Sequence, residues 1–394
     1  MTYFLLVIIY VVYIGIGLPN GILGSAWPAM HAELGVALAG AGTVSMIMSA
    51  CTIAASIATP YLLRRAGTRI ATVLSVALTC GGLLGFSLCG SFLAICLCAV
   101  PYGLGAGAID VALNDYLARR YPSRYLAWMH CMWGVGASVG PYIIAAALRT
   151  GGWRVGYRSV GLIQLTMLAL LLASTPLWKR NAGDRPEKTA AAAEKRAGRG
   201  LLRDTPGALT VIVMFFCYCA LEKTASLWCG SYLVYSRGFT EADAAAFVSL
   251  FFIGITAGRA LSGFASMKLS DKNMVRLGSG ALICGLLVLL LVPSHTAALA
   301  GFFLVGLGCA PIYPCIIHMT PALFGEEKSQ ALIGTELAGA YVGSLTMPPL
   351  FGLLANAGLT ALLPVYILAL ALVMALLHER LHRRHPSAAK SKES

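Results

Sequence analysis

Residues 179–206 read KRNAGDRPEKTAAAAEKRAGRGLLRDTP, a polar, Ala-rich and cationic stretch in a chain that is otherwise apolar. On either side the sequence runs in apolar segments of about 20 residues, the length a helix needs to cross a hydrocarbon core of about 30 Å. Six precede the stretch, at 3–26, 38–62, 70–90, 92–118, 127–149 and 158–178. Six follow it, at 208–235, 244–267, 274–292, 297–320, 329–355 and 360–379. The expected fold is therefore an all-α membrane protein with twelve transmembrane helices. Its domains are an N-terminal six-helix half at 1–178, a cytosolic linker at 179–206, a C-terminal six-helix half at 207–380 and a basic cytosolic tail at 381–394.

Composition points the same way. Of 394 residues, 58% are hydrophobic and 11% charged, against about 25% charged in soluble domains. A disordered chain, a collagen and an ordinary soluble enzyme are excluded, and the apolar excess has to face lipid. The net charge of +13 would suggest nucleic acid in a soluble protein. Here the cations sit in short clusters between apolar runs, with no aromatic-basic face for bases. They read as topology signals instead: Arg64, Arg65, Arg69, Arg119, Arg120, Arg124, the linker and the tail are basic, while the alternate loops hold only Arg149, Arg154, Arg158 and Arg237. This asymmetry puts both termini on the cytoplasmic side.

The twelve cysteines lie mostly inside apolar runs. Cys96 and Cys98, like Cys217 and Cys219, diverge around a helix and make no metal clip, so all are read as small packing residues. The first run begins at Tyr3 with no basic segment before it and no small-residue cleavage site, so it is expected to be a retained span.

The halves echo each other. TPYLLRRAGTRI (59–70) joins the second span to the third, and GRALSGFASMKLSDKNMVR (258–276) joins the eighth to the ninth. PYGLGAGAID (101–110) opens the fourth span and GLGCAPIYP (306–314) lies in the tenth. Two such halves imply a pseudo-two-fold bundle around a midplane cavity.

Together these strings resemble the major facilitator superfamily. RRAGTR (64–69), with Arg65, Gly67 and Arg69, resembles its second-to-third loop motif, with Leu62 or Leu63 where the superfamily's motif carries an acid. GVGASVGP (134–141), ending in Gly140 and Pro141, resembles its Gly-rich fifth-helix motif, with alanines in place of the closing pair of glycines. Within the superfamily, AIDVALNDYLARRYP (108–122), WMHCMWGVGASVGP (128–141), FFCYCALEKTASLW (215–228) and GLGCAPIYPCIIHMTP (306–321) resemble the fucose–proton symporter and sugar-permease-like branch. That branch has an acid and an Asn four apart in the fourth helix, as Asp110 and Asn114 stand here, and a Glu where Glu222 stands.

Ionisable residues inside spans are costly and usually functional. Asp110 and Glu222 are the expected proton carriers. His130, at the start of the fifth span, titrates near neutrality and joins them as a candidate relay, with a hydrogen bond at the helix end as the alternative. Asn114 shares the helix face of Asp110. Lys223 diverges from Glu222 by about 100° and is read as a partner to an acid. Glu336 in the eleventh span is assigned to the substrate site or to a water-filled vestibule. Arg259 reads as a gate or turn-fixing cation, and His318 as a packed or interface-facing residue. Gly and Pro mid-span, around Pro19, Pro101 and Pro311, mark broken helices lining a cavity or tight small-residue packing. Asn20 and Tyr313 then become candidate ligands, with Trp133 and Trp228 as stacking platforms for a sugar ring. Trp27, Trp153 and Trp178 are assigned to the interfacial belt, and His31 to a loop.

The function expected from this pattern is a secondary carrier moving a small, sugar-like polar solute by alternating access, in symport with protons. The alternative is an efflux antiporter for amphipathic compounds or metabolites, suggested by the fifth-span glycines. No Walker motif, nucleophile–base pair or metal-ligand spacing points to an enzyme. No cofactor or nucleic-acid partner is expected, and the chain is expected as a monomer in the cytoplasmic membrane.

Overall fold

The structure, a computed structural model, describes residues 2–174, 178 and 205–384. Nearly all of the expected linker and tail lie outside the described residues. Thirteen helices make up these residues: α1 (Thr2–Gly17), α2 (Ile22–Leu34), α3 (Gly40–Leu88), α4 (Phe92–Arg120), α5 (Ser123–Thr150), α6 (Trp153–Ala173), α7 (Ala208–Arg237), α8 (Glu241–Ala265), α9 (Asp271–Leu291), α10 (His295–Cys309), α11 (Ile312–Phe324), α12 (Glu326–Asn356) and α13 (Leu363–Arg384). Eleven stretches are long and apolar enough to cross a membrane, and one of them is double.

That one is α3, 49 residues long and broken at Gly67, whose φ of 78° and ψ of 165° no helix contains. A positive φ suits Gly and strains any other residue. The two arms run in opposite directions along α4: Met48 and Thr52 lie level with Gly103 and Gly107, whereas Thr79 and Gly82 lie level with Gly105 and Tyr102. RRAGTR is thus a turn between two spans, and the total is the expected twelve. Leu63, close to the position of the superfamily's acid, packs with Ala71 and Ala112, flanked by Leu62.

Of the two readings of mid-span Gly and Pro, each is right somewhere. The first span is interrupted by a 3-10 turn at Leu18–Asn20 that contains Pro19, and α10 is separated from α11 at Ala310–Pro311. By contrast, α4 is unbroken through Pro101. Its glycines let other backbones approach: a Cβ added at Gly103, Gly105 or Gly107 would lie 2.5, 2.4 and 2.2 Å from the carbonyl oxygens of Met48, Ser75 and Thr52. This is small-residue packing.

The first span also runs further than expected. After the 3-10 turn the helix resumes and ends only at Gly35, which caps it with a φ of 63°. His31 therefore belongs to the last turn of α2, not to a loop. Trp27 and Trp153 are 0% and 1% exposed, so neither is a belt residue. Trp27 donates from Nε1 to Leu38 O at 2.8 Å, and Trp153 Nε1 donates to Glu33, which also pairs with Arg154.

The chain forms two compact units. The first contains α1–α6 together with Leu227–Phe252 and Gly352–Thr360; the second contains residues 205–226, Ile253–Phe351 and α13. In the first unit, Gly136 and Gly140 of α5 lie against α1 and the turn after it, where an added Cβ would stand 1.9 Å from Ile14 O and 2.0 Å from Leu18 O. The far end of α7 joins this unit through Gly230, whose added Cβ would lie 2.5 Å from Gly24 O. It also joins through Tyr235, which bonds His31 Nε2 at 2.6 Å. Arg149 of α5 pairs with Asp243 of α8 at 2.7 Å.

Candidate functional site

In the first unit, four side chains from α1, α4 and α5 form one polar network. Tyr13 is 1% exposed and its hydroxyl donates to Asp110 Oδ1 at 2.7 Å. Asn114, one turn along α4, donates from Nδ2 toward Asp110 Oδ1 at 3.0 Å, the Asp110 carbonyl at 2.8 Å and Tyr13 Oη at 3.1 Å. With Nδ2 engaged by acceptors, Oδ1 faces His130 Nε2 at 3.1 Å. An amide oxygen only accepts, so Nε2 of His130 carries a hydrogen. The Tyr13 ring meets the His130 ring edge to face at 5.8 Å.

The arrangement has a chemical sense. Asp110 is exposed and receives hydrogens from Tyr13 and Asn114. Asn114 spans the gap between Asp110 and His130. Two titratable groups on different helices are thereby joined through one amide. Trp133, one turn after His130 on α5, packs against the apolar cluster that includes Tyr13, Ile109 and Leu113.

Asp110, Asn114 and His130 were legible in the sequence, and the structure brings them together. Tyr13 was missed. It sits in YFLLVIIYVVYIGIG, where an aromatic in an apolar run carries no signal of its own. The Gly136 and Gly140 contacts that carry α1 against α5 are what deliver it.

The second unit holds the other expected acid. Glu222 on α7 is half-buried and within electrostatic reach of Tyr218, Cys219 and Cys309. Tyr218 donates to Cys309 O at 3.0 Å, tying α7 to the end of α10. Tyr313, just past the break before α11, is 40% exposed and packs on Phe215 and Tyr218 at ring separations of 4.9 and 6.2 Å. Lys223 is exposed and Arg259 half-buried. An aromatic shelf beside an acid is thus built at one end of α11.

Other expected site residues stand differently. Trp228 is 0% exposed and belongs to the first unit, with Gly352 against its ring; no face is open for stacking. Asn20 turns its Nδ2 back on Ile16 O and Gly17 O at 3.0 and 3.3 Å, closing its own 3-10 turn. Glu336 is 0% exposed and faces Thr320, so it lines no vestibule here. His318 of α11 is exposed and pairs with Asp271 of α9 at 2.7 Å. Arg65 lies over the Tyr61 ring at 4.4 Å, and Arg69 is exposed beside the Gly67 turn. Pro141, next to Gly140, lies against the backbone at Gly21. No group of three or more metal-binding side chains occurs among the described residues.

A polytopic helical membrane protein with an acid network inside a span has the architecture of a solute carrier, not of an enzyme. The chain belongs to the Major Facilitator Superfamily, whose family model matches residues 9–295 and 231–394. It is 25% identical over 353 residues to an uncharacterised MFS-type transporter of Yersinia pestis, covering 84% of this chain and 85% of the relative. It is 22% identical to a glucose/mannose transporter of Bacillus subtilis over 64% of each chain. A cis,cis-muconate transport protein of Acinetobacter baylyi is 24% identical over 71% of this chain and 69% of its own. Among solved structures, a mutant of the nucleoside transporter NupG superposes with a TM-score of 0.77 at 10% identity, covering 95% of this chain and 98% of that one. An inward-facing, occupied bacterial homologue of the human lysosomal transporter Spinster gives 0.75 at 13% identity, over 98% and 97%.

Proposed function

We propose that this carrier moves a small, sugar-like polar solute across the cell membrane in symport with protons, by alternating access and as a monomer with both termini in the cytoplasm. The observation that carries this reading is the Tyr13–Asp110–Asn114–His130 network. A transporter of an uncharged solute by facilitated diffusion has no need of a titratable pair inside a span, where each ionisable group is costly. Here an exposed acid is held by two donors and linked through an amide to a histidine, so a proton arriving at one alters the hydrogen-bond pattern at the other. Glu222, beside the Tyr218–Tyr313 shelf, is the matching acid of the second unit. Tyr313, 40% exposed, is an aromatic of the kind that suits the apolar face of a sugar ring, and one relative carries the name of a glucose/mannose transporter.

The test uses proteoliposomes with a pH-sensitive dye and a panel of sugars and related polar solutes added singly. External alkalinisation on adding one of them is the expected result. Asp110→Asn is then expected to abolish uphill accumulation while leaving solute exchange partly intact. Silence across the panel from folded protein removes symport, and unchanged accumulation in Asp110→Asn removes Asp110 from coupling.

The efflux reading loses its main support. It rested on the fifth-span glycines, and Gly136 and Gly140 have a packing role against α1 that a carrier of either direction needs.

A further inference from the structure

Glu336 is an acid for which the network above has no use. It lies on α12, 0% exposed, opposite Thr320 of α11, which is also 0% exposed. Thr320 Oγ1 stands 2.9 Å from one carboxyl oxygen and 3.2 Å from the other. The same hydroxyl stands 3.0 Å from the carbonyl oxygen of Ile316.

Counting hydrogens separates the two forms of this acid. A hydroxyl has one hydrogen; a carboxylate and a carbonyl only accept. With Glu336 ionised, Ile316 O and two carboxylate oxygens compete for that single hydrogen, and a buried anion has at most one donor. With Glu336 protonated, its O–H donates to Thr320 Oγ1 and Thr320 donates to Ile316 O. The bond between the carboxyl group and Thr320 and the bond from Thr320 to Ile316 O then each have a hydrogen of their own.

The surroundings offer no compensation for a charge. Thr320 is the one side chain that interacts with Glu336 among the described residues. On α7, which meets α12 through Ile212 at Gly339 and Phe216 at Gly343, the charged groups Glu222 and Lys223 act on Cys219 instead. On α11, His318 is held by Asp271, and on α12 itself Lys328 is exposed. A fully buried charge with a single hydroxyl donor is strongly disfavoured against a neutral acid.

We propose that Glu336 is a further proton-carrying residue of this carrier, held as the neutral acid against Thr320 and ionised only when α11 and α12 part far enough to admit water. The proton then passes from the carboxyl oxygen to water, leaving the carboxylate, and its return restores the Glu336–Thr320–Ile316 chain. A glutamine could make the same bond; only an acid can let it go. The break at Pro311 before α11 gives that arm of the span freedom to move. The assignment rests on the proton-coupled reading for its role in transport, but its test does not.

The test is infrared spectroscopy of the purified protein with protons as the probe. Wild type is expected to show a carboxylic-acid C=O band that Glu336→Gln lacks. Thr320→Val, which leaves the acid in place, is expected to keep the band and shift it to higher wavenumber through the lost hydrogen bond. The band is expected to vanish as the pH is raised. In hydrogen exchange corrected for intrinsic rate, amides of α11 and α12 are expected to lose protection over the same pH range in wild type and to keep it in Glu336→Gln. A spectrum unaltered by Glu336→Gln, or exchange with the same pH dependence in both proteins, overturns the proposal. Failure of the dye assay instead removes proton coupling and leaves the infrared result standing.

Discussion

Tyr13 is where a single residue decides most. Its ring is buried and its hydroxyl both donates to Asp110 and accepts from Asn114. Tyr13→Phe keeps the ring and deletes two hydrogen bonds, so the folded state is expected to lose about 1 kcal/mol, read as a lowered thermal midpoint in detergent. Proton-driven accumulation is expected to fall more than solute exchange, because Asp110 loses its donor from α1 while the α4–α5 link through Asn114 and His130 remains. Equal losses in both assays would mean that Tyr13 matters for packing alone. At the same scale, Trp228 shows how residue type misleads. A Trp in a span suggests stacking, yet burial at 0% exposure makes it a packing residue.

Between helices, glycine works as spacing rather than flexibility. Gly136 has no room for a methyl group, since a Cβ would stand 1.9 Å from Ile14 O. Backbone has to give way, and overpacking of this kind typically costs about 1–3 kcal/mol. Gly81 on α3 meets nothing within 4 Å, and replacing an exposed helix Gly by Ala gains roughly 0.5–1 kcal/mol in propensity. Gly136→Ala is thus expected to lower the thermal midpoint and Gly81→Ala to leave it or raise it; the reverse order would refute the seam. Because Tyr13 lies just before that seam, Gly136→Ala is also expected to impair transport. A buried chain of hydrogen bonds, Thr79 to Gln164 at 3.1 Å and Gln164 to Gly15 O at 2.7 Å, holds α3, α6 and α1 together nearby. It was not legible beforehand, because a lone Gln in an apolar run has no visible partner.

For the whole molecule, the instructive feature is that the first unit takes in Leu227–Phe252, residues that the sequence assigns to the second half. Gly230 lies against Gly24, Tyr235 bonds His31 and Arg149 pairs with Asp243. The ion pair is exposed on both sides and contributes little by itself, about 0–1 kcal/mol; Gly230 lies so near Gly24 that no Cβ fits between them. The alternating access proposed above requires these ends of α7 and α8 to separate from α2 and α5. In a background with the native cysteines replaced, Arg149→Cys with Asp243→Cys, at the exposed contact between α5 and α8, is expected to be joined by a reducible bifunctional thiol reagent, to stop solute exchange and to recover it on reduction. Exchange that continues in the cross-linked protein would mean that these contacts persist through the cycle.

The linear pattern was enough for the class of fold, because a helix in lipid must satisfy its own backbone and must be apolar over a known length. Span number, the turn at Gly67 and the partnership of Asp110 with Asn114 follow from such local rules, since i and i+4 share a face whatever the surroundings. What only the tertiary structure decided is which distant residues meet. Tyr13 reaches Asp110 across 97 positions, and Thr320 closes on Glu336 between two helices. Burial converted Trp228 and Glu336 from expected solute contacts into interior groups, and burial is a property of neighbouring helices that no single span encodes.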